Sequence, residues 1–164
     1  MTDDAVIRPA YLQPVGRLKP ANAAAALIVE ERGLYLMQLR DADPGIFFPG
    51  HWGCFGGAIE PDETYEEALN RELWEELKLD VSALSVFPFT RFTFDFGFAD
   101  GGIIDRWYFV VPIDSARVSR LALGEGRAMR LFEGPDLLSR PMVPYDRFAL
   151  WMHCYRRELS GEVE

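Results

Sequence analysis

The chain has 164 residues, with Lys+Arg 17 against Asp+Glu 26 and a formal net charge of −9 at pH 7. At ~100–200 residues per domain this is a single domain, and a composition 49% hydrophobic and 26% charged excludes disordered, collagen-like and disulfide-scaffold chains. The basic residues are scattered, with short pairs such as Arg156-Arg157, so no basic stripe suits a long nucleic acid. An acidic protein can still act on phosphorylated substrates when metal ions bridge the two negative partners.

Residues 1–20 carry Pro9, Pro14 and Pro20 and little periodicity, and read as an N-terminal arm; residues 21–164 read as one domain. Ala23 to Glu31 and Leu34 to Arg40 form two strands turned at Arg32-Gly33. Asp41 to Gly50 is dense in turn formers and reads as a loop, and a short strand at Trp52–Phe55 leads into Gly56-Gly57. Next comes a helix: Thr64 and Glu67 make a capping box, and Tyr65, Leu69, Leu73 and Leu77 recur every fourth residue. Strands follow at Val86–Phe98, Ile103–Ile113 and Arg127–Phe132, then a helical turn at Pro135–Ser139 and a helix over Tyr145–Leu159. Strands and helices do not alternate regularly, which predicts a mixed sheet with helices against it. The acidic start, Met1-Thr2-Asp3-Asp4, lacks the cationic start and apolar core expected of a signal peptide. The apolar run Ala23 to Val29 is far short of the ~20 residues that span a bilayer, so a cytoplasmic protein is expected. Cys54 and Cys154 then read as reduced thiols; with His51 and His153 they match no standard zinc spacing.

The helix after Thr64 carries an unusual charge. From Glu60 to Glu76 there are eight acidic residues and one basic, Arg71. At ~100° per residue, Glu72, Glu75 and Glu76 share one face beside Leu69 and Leu73. Like charges at these spacings destabilise a bare helix by a few tenths of a kcal/mol per pair, and negative charge is unwelcome toward a helix C-terminus. A hard divalent cation reverses that cost, because Mg²⁺ or Mn²⁺ takes carboxylate, water and phosphate oxygens. The bland alternative is a solvated acidic face.

Residues 57–79 decide between them. Gly57, Glu63, Arg71, Glu72, Leu73, Glu75, Glu76 and Leu79 fall in place on the pattern G-x5-E-x7-R-E-U-x-E-E-x-G-U, with Lys78 where the pattern has glycine. This resembles the Nudix box of the Nudix hydrolase (MutT-like pyrophosphohydrolase) family. The resemblance implies an α/β (α+β) fold, an α/β/α sandwich with a mixed sheet between helices. It also implies hydrolysis of a pyrophosphate linkage in a nucleoside diphosphate joined to another moiety: a nucleotide sugar, a nucleoside triphosphate or a dinucleotide. By the same resemblance the Gly56 carbonyl and Glu72, Glu75 and Glu76 bind Mg²⁺ or Mn²⁺, with Glu72 or Glu75 able to orient or deprotonate the attacking water. Arg71 and Glu63 pair to lock the loop onto the helix. Glu125, in Gly124-Glu125-Gly126 before a late strand, is the candidate for a further ligand or the general base. Gly57 and Trp52 are the candidate substrate contacts.

What the enzyme cleaves is less legible. Phe92, Phe94, Phe96 and Phe98 alternate along one strand face beside Trp107 and Tyr108, a pattern that serves a core or stacks a base. The tags of members acting on NADH, coenzyme A, ADP-ribose and dinucleoside polyphosphates are absent. A Nudix-like domain that senses a nucleotide without cleaving it is the alternative, although such domains commonly lose box carboxylates and this chain keeps them. A small nucleotide substrate is expected, with no membrane and no long nucleic acid, and family members often form homodimers.

Overall fold

The structure is a computed structural model that describes residues 20–99 and 101–161. The expected N-terminal arm, apart from Pro20, lies outside the described residues. Strand β1, Ala23–Glu30, is buried at every position except Val29, because both of its edges and both of its faces are covered. On one edge it runs parallel to β6 (Gly102–Ile113), from Ala23 opposite Arg106 to Glu30 opposite Ile113. Its other edge is shared. β4 (Phe55–Ala58) pairs antiparallel with Ala23 to Ala26, and β2 (Tyr35–Leu39) pairs with Ile28 and Val29.

β2 in turn pairs with the short β3 (Trp52–Gly53) and, on its far edge, with β7 (Ala128–Phe132). β5 (Phe87–Phe96) adds antiparallel to β6 and completes a seven-stranded mixed sheet. The stretch Trp52–Ala58 therefore runs first along β2 and then along β1, changing partner at Cys54.

Period-two alternation sends the two halves of each inner strand to opposite cores. Ala24, Ala26, Ile28, Leu36, Phe55 and Phe109 meet Leu69, Leu73 and Leu77 of α1 (Tyr65–Leu77). Ala25, Leu27, Tyr35, Met37, Tyr108 and Phe132 meet Leu137 of α3 (Gly134–Leu138) and Ala149 and Leu150 of α4 (Pro144–Cys154). This is the expected α/β/α sandwich. Each of the three α1 leucines is fully buried and contributes about 1.5–3 kcal/mol. The capping box at Thr64 and Glu67 forms in both directions, 3.2 Å and 2.8 Å, and fixes where α1 begins. At the other end Lys78 adopts the left-handed conformation, φ 56°, that the box glycine would take at no steric cost.

Three features depart from the sequence reading. A single turn, α2 (Ser115–Val118), is capped by Asp114 and is too short to show a helical period. The last helix breaks at Tyr155, so α4 is followed by a separate α5 (Arg156–Ser160). The phenylalanine row serves the core at one end only: Phe92 of β5 packs against the α4-side core, its ring centroid 5.4 Å from that of Phe148, and Phe94 lies 5.9 Å from Tyr145, while Phe98, in the turn after β5, is 87% exposed. Among the described residues, no helix is long and apolar enough to cross a membrane.

Candidate active site

The site lies where β4 and its glycines pass under the C-terminal half of α1. In β4, Gly57 is opposite Ala24 and Gly56 opposite Ala25. A Cβ on Gly57 would sit 2.5 Å from the Glu72 carboxylate, and one on Gly56, whose φ is +126°, would run into the Ala24 carbonyl oxygen. A side chain is excluded at Gly56 by the neighbouring backbone, and one at Gly57 would displace the Glu72 carboxylate, so the two glycines let the helix carboxylates reach the strand.

Glu76 is the innermost acid, 5% exposed. Gly56 N–H donates to its Oε2 at 2.7 Å and Gln38 Nε2 donates to its Oε1 at 3.1 Å. Burial pushes its pKa up to about 7, reinforced by Glu72 and Glu125 and opposed by the two donors. Glu72 is half-buried against Gly57; burial raises its pKa, Arg71 opposes the rise, and Glu75 and Glu125 add to it. Glu75 is more open, with its side chain 52% exposed.

Arg71 organises the outer side. Its Nε and Nη2 donate to the two oxygens of Glu63, both at 2.9 Å, a bidentate pair. Nη2 also donates to the Ala58 carbonyl at 2.9 Å, and Nη1 reaches Glu72 at 2.8 Å and Glu75 at 3.6 Å. One guanidinium thus fastens the loop before α1 to the helix and partly offsets two of its acids. The Glu63 contacts, with Glu72 beside them, hold the Arg71 pKa above its ordinary value.

Glu125 is exposed on the loop between α2 and β7. Backbone bonds tie that loop to the end of α1 and to β2: Gly124 N–H to the Glu76 carbonyl at 2.7 Å and Ala122 N–H to the Leu77 carbonyl at 3.1 Å, and Arg127 N–H to the Leu39 carbonyl at 2.8 Å. The Glu125 charge is close enough to raise both Glu72 and Glu76. The structure therefore gathers Gly56, Gly57, Glu63, Arg71, Glu72, Glu75, Glu76 and Glu125 into one region. Trp52 stands apart: it packs edge-on to Phe132, 4.7 Å between centroids, in the core on the α4 side.

Two buried polar groups of this region lie outside the sequence pattern. Gln38 is buried beneath Glu76, and strand alternation with Leu36, which faces α1, was the available signal. Asp146, at the start of α4, is 2% exposed and accepts from Tyr108 Oη at 2.7 Å, Cys54 N–H at 2.9 Å and Arg106 Nη2 at 3.2 Å. Nothing local in the sequence marks that pairing, because its members come from three distant segments.

The acids suit a hard divalent cation by chemistry: Glu72, Glu75, Glu76 and Glu125 are all oxygen donors, and Arg71, already shared with Glu63, is the cation paired with Glu72 and Glu75. Among the described residues no three such groups have already converged on one point.

A glycine strand under an acidic helix, set in an α/β/α sandwich, defines the architecture of a Nudix domain. The family profile described as NUDIX domain matches residues 19–145, and the chain belongs to the Nudix family. Among curated relatives, the nucleoside triphosphatase NudI of Enterobacter sp. (strain 638) is 44% identical over 64 residues, 38% of this chain and 45% of that protein. NudI of Escherichia coli (strain K12 / DH10B) is 40% identical over 63 residues, 38% of this chain and 44% of that one. The matched stretch is thus under half the length of these relatives. Among solved structures, a MutT protein from Methanosarcina mazei Go1 superposes with a TM-score of 0.66 at 22% identity, covering 85% of this chain and 96% of that one. The Escherichia coli dihydroneopterin triphosphate pyrophosphohydrolase gives 0.63 at 20% identity, covering 80% and 93%. At those identities the likeness is one of fold.

Proposed function

We propose that the protein is a divalent-cation-dependent pyrophosphohydrolase of small nucleotides, which cleaves the P–O–P linkage of a nucleoside diphosphate joined to another moiety, with nucleoside triphosphates the leading class. The observation that carries this reading is the set of Glu72, Glu75 and Glu76 on one helix face, with Glu76 fixed by Gly56 and Gln38. The name of the curated relatives, a nucleoside triphosphatase, supports the substrate class. Keeping all three box glutamates argues for an enzyme over a sensing module.

Glu72, Glu75, Glu76 and the Gly56 carbonyl would hold Mg²⁺ or Mn²⁺. A cation bound there acidifies a water and neutralises charge on the leaving phosphate. In the hydrolysis, water oxygen forms a bond to one phosphorus, the bridging oxygen departs with the electron pair, and a carboxylate accepts the proton. Glu125, exposed on a loop that faces the cluster, is assigned that proton. Arg71 keeps the glycine loop and the helix in register. A cytoplasmic location and a homodimer are further parts of this reading, the latter read by sedimentation equilibrium.

The test is a panel of nucleoside triphosphates, nucleotide sugars and dinucleotides with Mg²⁺ or Mn²⁺, a matched EDTA control, and products identified by mass. Cation-dependent cleavage of at least one compound is expected. No turnover anywhere, with nucleotide binding still visible by thermal shift, would move the assignment to a sensing module.

A further inference from the structure

The chain changes partner at Cys54, between Gly53, paired with Gln38 on β2, and Phe55, paired with Ala26 on β1. The Cys54 carbonyl is taken up by a side chain: Gln38 Nε2 donates to it at 3.1 Å. The same nitrogen donates to Glu76 Oε1 at 3.1 Å. An amide nitrogen has two protons to give, so both are used. The reverse orientation of the amide would set its oxygen against two acceptors. Its oxygen instead faces the Glu125 loop, where a Cβ on Gly126 would lie 3.0 Å from it. Gln38 itself is 4% exposed and sits where β2, the strand crossover, the acidic helix and the Glu125 loop meet.

The consequence for Glu76 follows from counting lone pairs. An ionised carboxylate has about four acceptor positions. Gly56 occupies one on Oε2 and Gln38 one on Oε1, which fixes the plane of the group and leaves one position on each oxygen for a ligand. We propose that Gln38 is a positioning residue, whose side-chain amide orients the Glu76 carboxylate for a divalent cation and ties that orientation to the strand crossover at Cys54. It touches neither substrate nor reacting atoms. Partners of this kind, one bond behind a ligand, commonly change metal affinity 10–100-fold when removed.

The inference rests on the reading of Glu76 as a ligand, so the test carries Glu76→Gln beside Gln38→Met. Methionine keeps the length of the side chain and removes both donors. Free Mn²⁺ is followed by electron paramagnetic resonance during titration of the parent chain and both variants. Gln38→Met is expected to bind Mn²⁺ at least tenfold more weakly, and to lower kcat on whichever nucleotide is turned over with KM within about twofold of the parent value. Binding within twofold of the parent, while Glu76→Gln loses the ion, overturns the role of Gln38 and leaves the site intact. Equal binding by Glu76→Gln and the parent overturns the ligand reading itself.

Should Gln38→Met not fold, the side-chain amide of Gln38 in ¹⁵N-labelled parent protein gives the answer. Its two proton resonances are expected to shift as Mg²⁺ saturates, and resonances that stay in place refute the proposal.

Discussion

Glu76→Gln is expected to change stability in opposite directions at two pH values when EDTA keeps cations away. In the folded chain the Glu76 pKa is pushed from 4.5 to about 7, chiefly by burial. A carboxyl raised in this way binds its proton more tightly folded than unfolded. Its contribution is fully present below 4.5 and is lost as pH rises through about 7. At about 1.36 kcal/mol per unit, the 2.5-unit difference (7 − 4.5) corresponds to about 3 kcal/mol. Glutamine carries no charge, so it escapes that loss. It also cannot accept from both Gly56 N–H and Gln38 Nε2, and giving up one of those bonds costs about 1 kcal/mol. The variant should therefore be about 1 kcal/mol less stable near pH 4.5 and about 2 kcal/mol more stable at pH 8.5. Urea unfolding followed by circular dichroism, at matched pH values for both chains, measures the difference. A stability difference that stays constant across this range would refute the claim that Glu76 holds a desolvated charge.

Other substitutions probe separate parts of the account. Gly57→Ala places a methyl group against the Glu72 carboxylate, 2.5 Å away, and is expected to weaken Mn²⁺ binding at least tenfold by titration calorimetry while the circular dichroism spectrum is kept. Lys78→Gly relieves a left-handed non-glycine residue at the end of α1 and should stabilise the chain by about 0.5–1 kcal/mol in urea unfolding, the gain reduced by loss of the Lys78 contact over Trp74. Asp146→Ala removes the acceptor for Arg106, Tyr108 and Cys54 N–H and leaves a cation in the core, so a loss of about 3–5 kcal/mol is expected in the same assay.

The parts of this fold that the sequence made legible are those with a local rule behind them. Thr64 and Glu67 mark the start of α1, and the leucines at four-residue spacing mark its buried face. The alternating strands and the absence of a regular βα repeat gave the mixed sheet. The acidic face with the glycines before it pointed to the cation chemistry. What escaped depends on partners far apart in the chain. The Arg106–Asp146 pair joins residues 40 positions apart, and the donors that fix Glu76 come from Gln38 and Gly56 on two different strands. Trp52 shows the converse: nearness in sequence to Gly56 suggested a pocket, but strand alternation and the change of partner at Cys54 send it to the core on the α4 side.

The most direct test of the central claim is hydrolysis, in H₂¹⁸O, of whichever nucleotide the panel selects, with products read by ³¹P NMR. The account predicts one ¹⁸O atom on one phosphate product per cleavage, no reaction in EDTA, and a loss of at least 100-fold in Glu76→Gln. Hydrolysis that proceeds equally without a divalent cation, or products with no label on phosphorus, would contradict it.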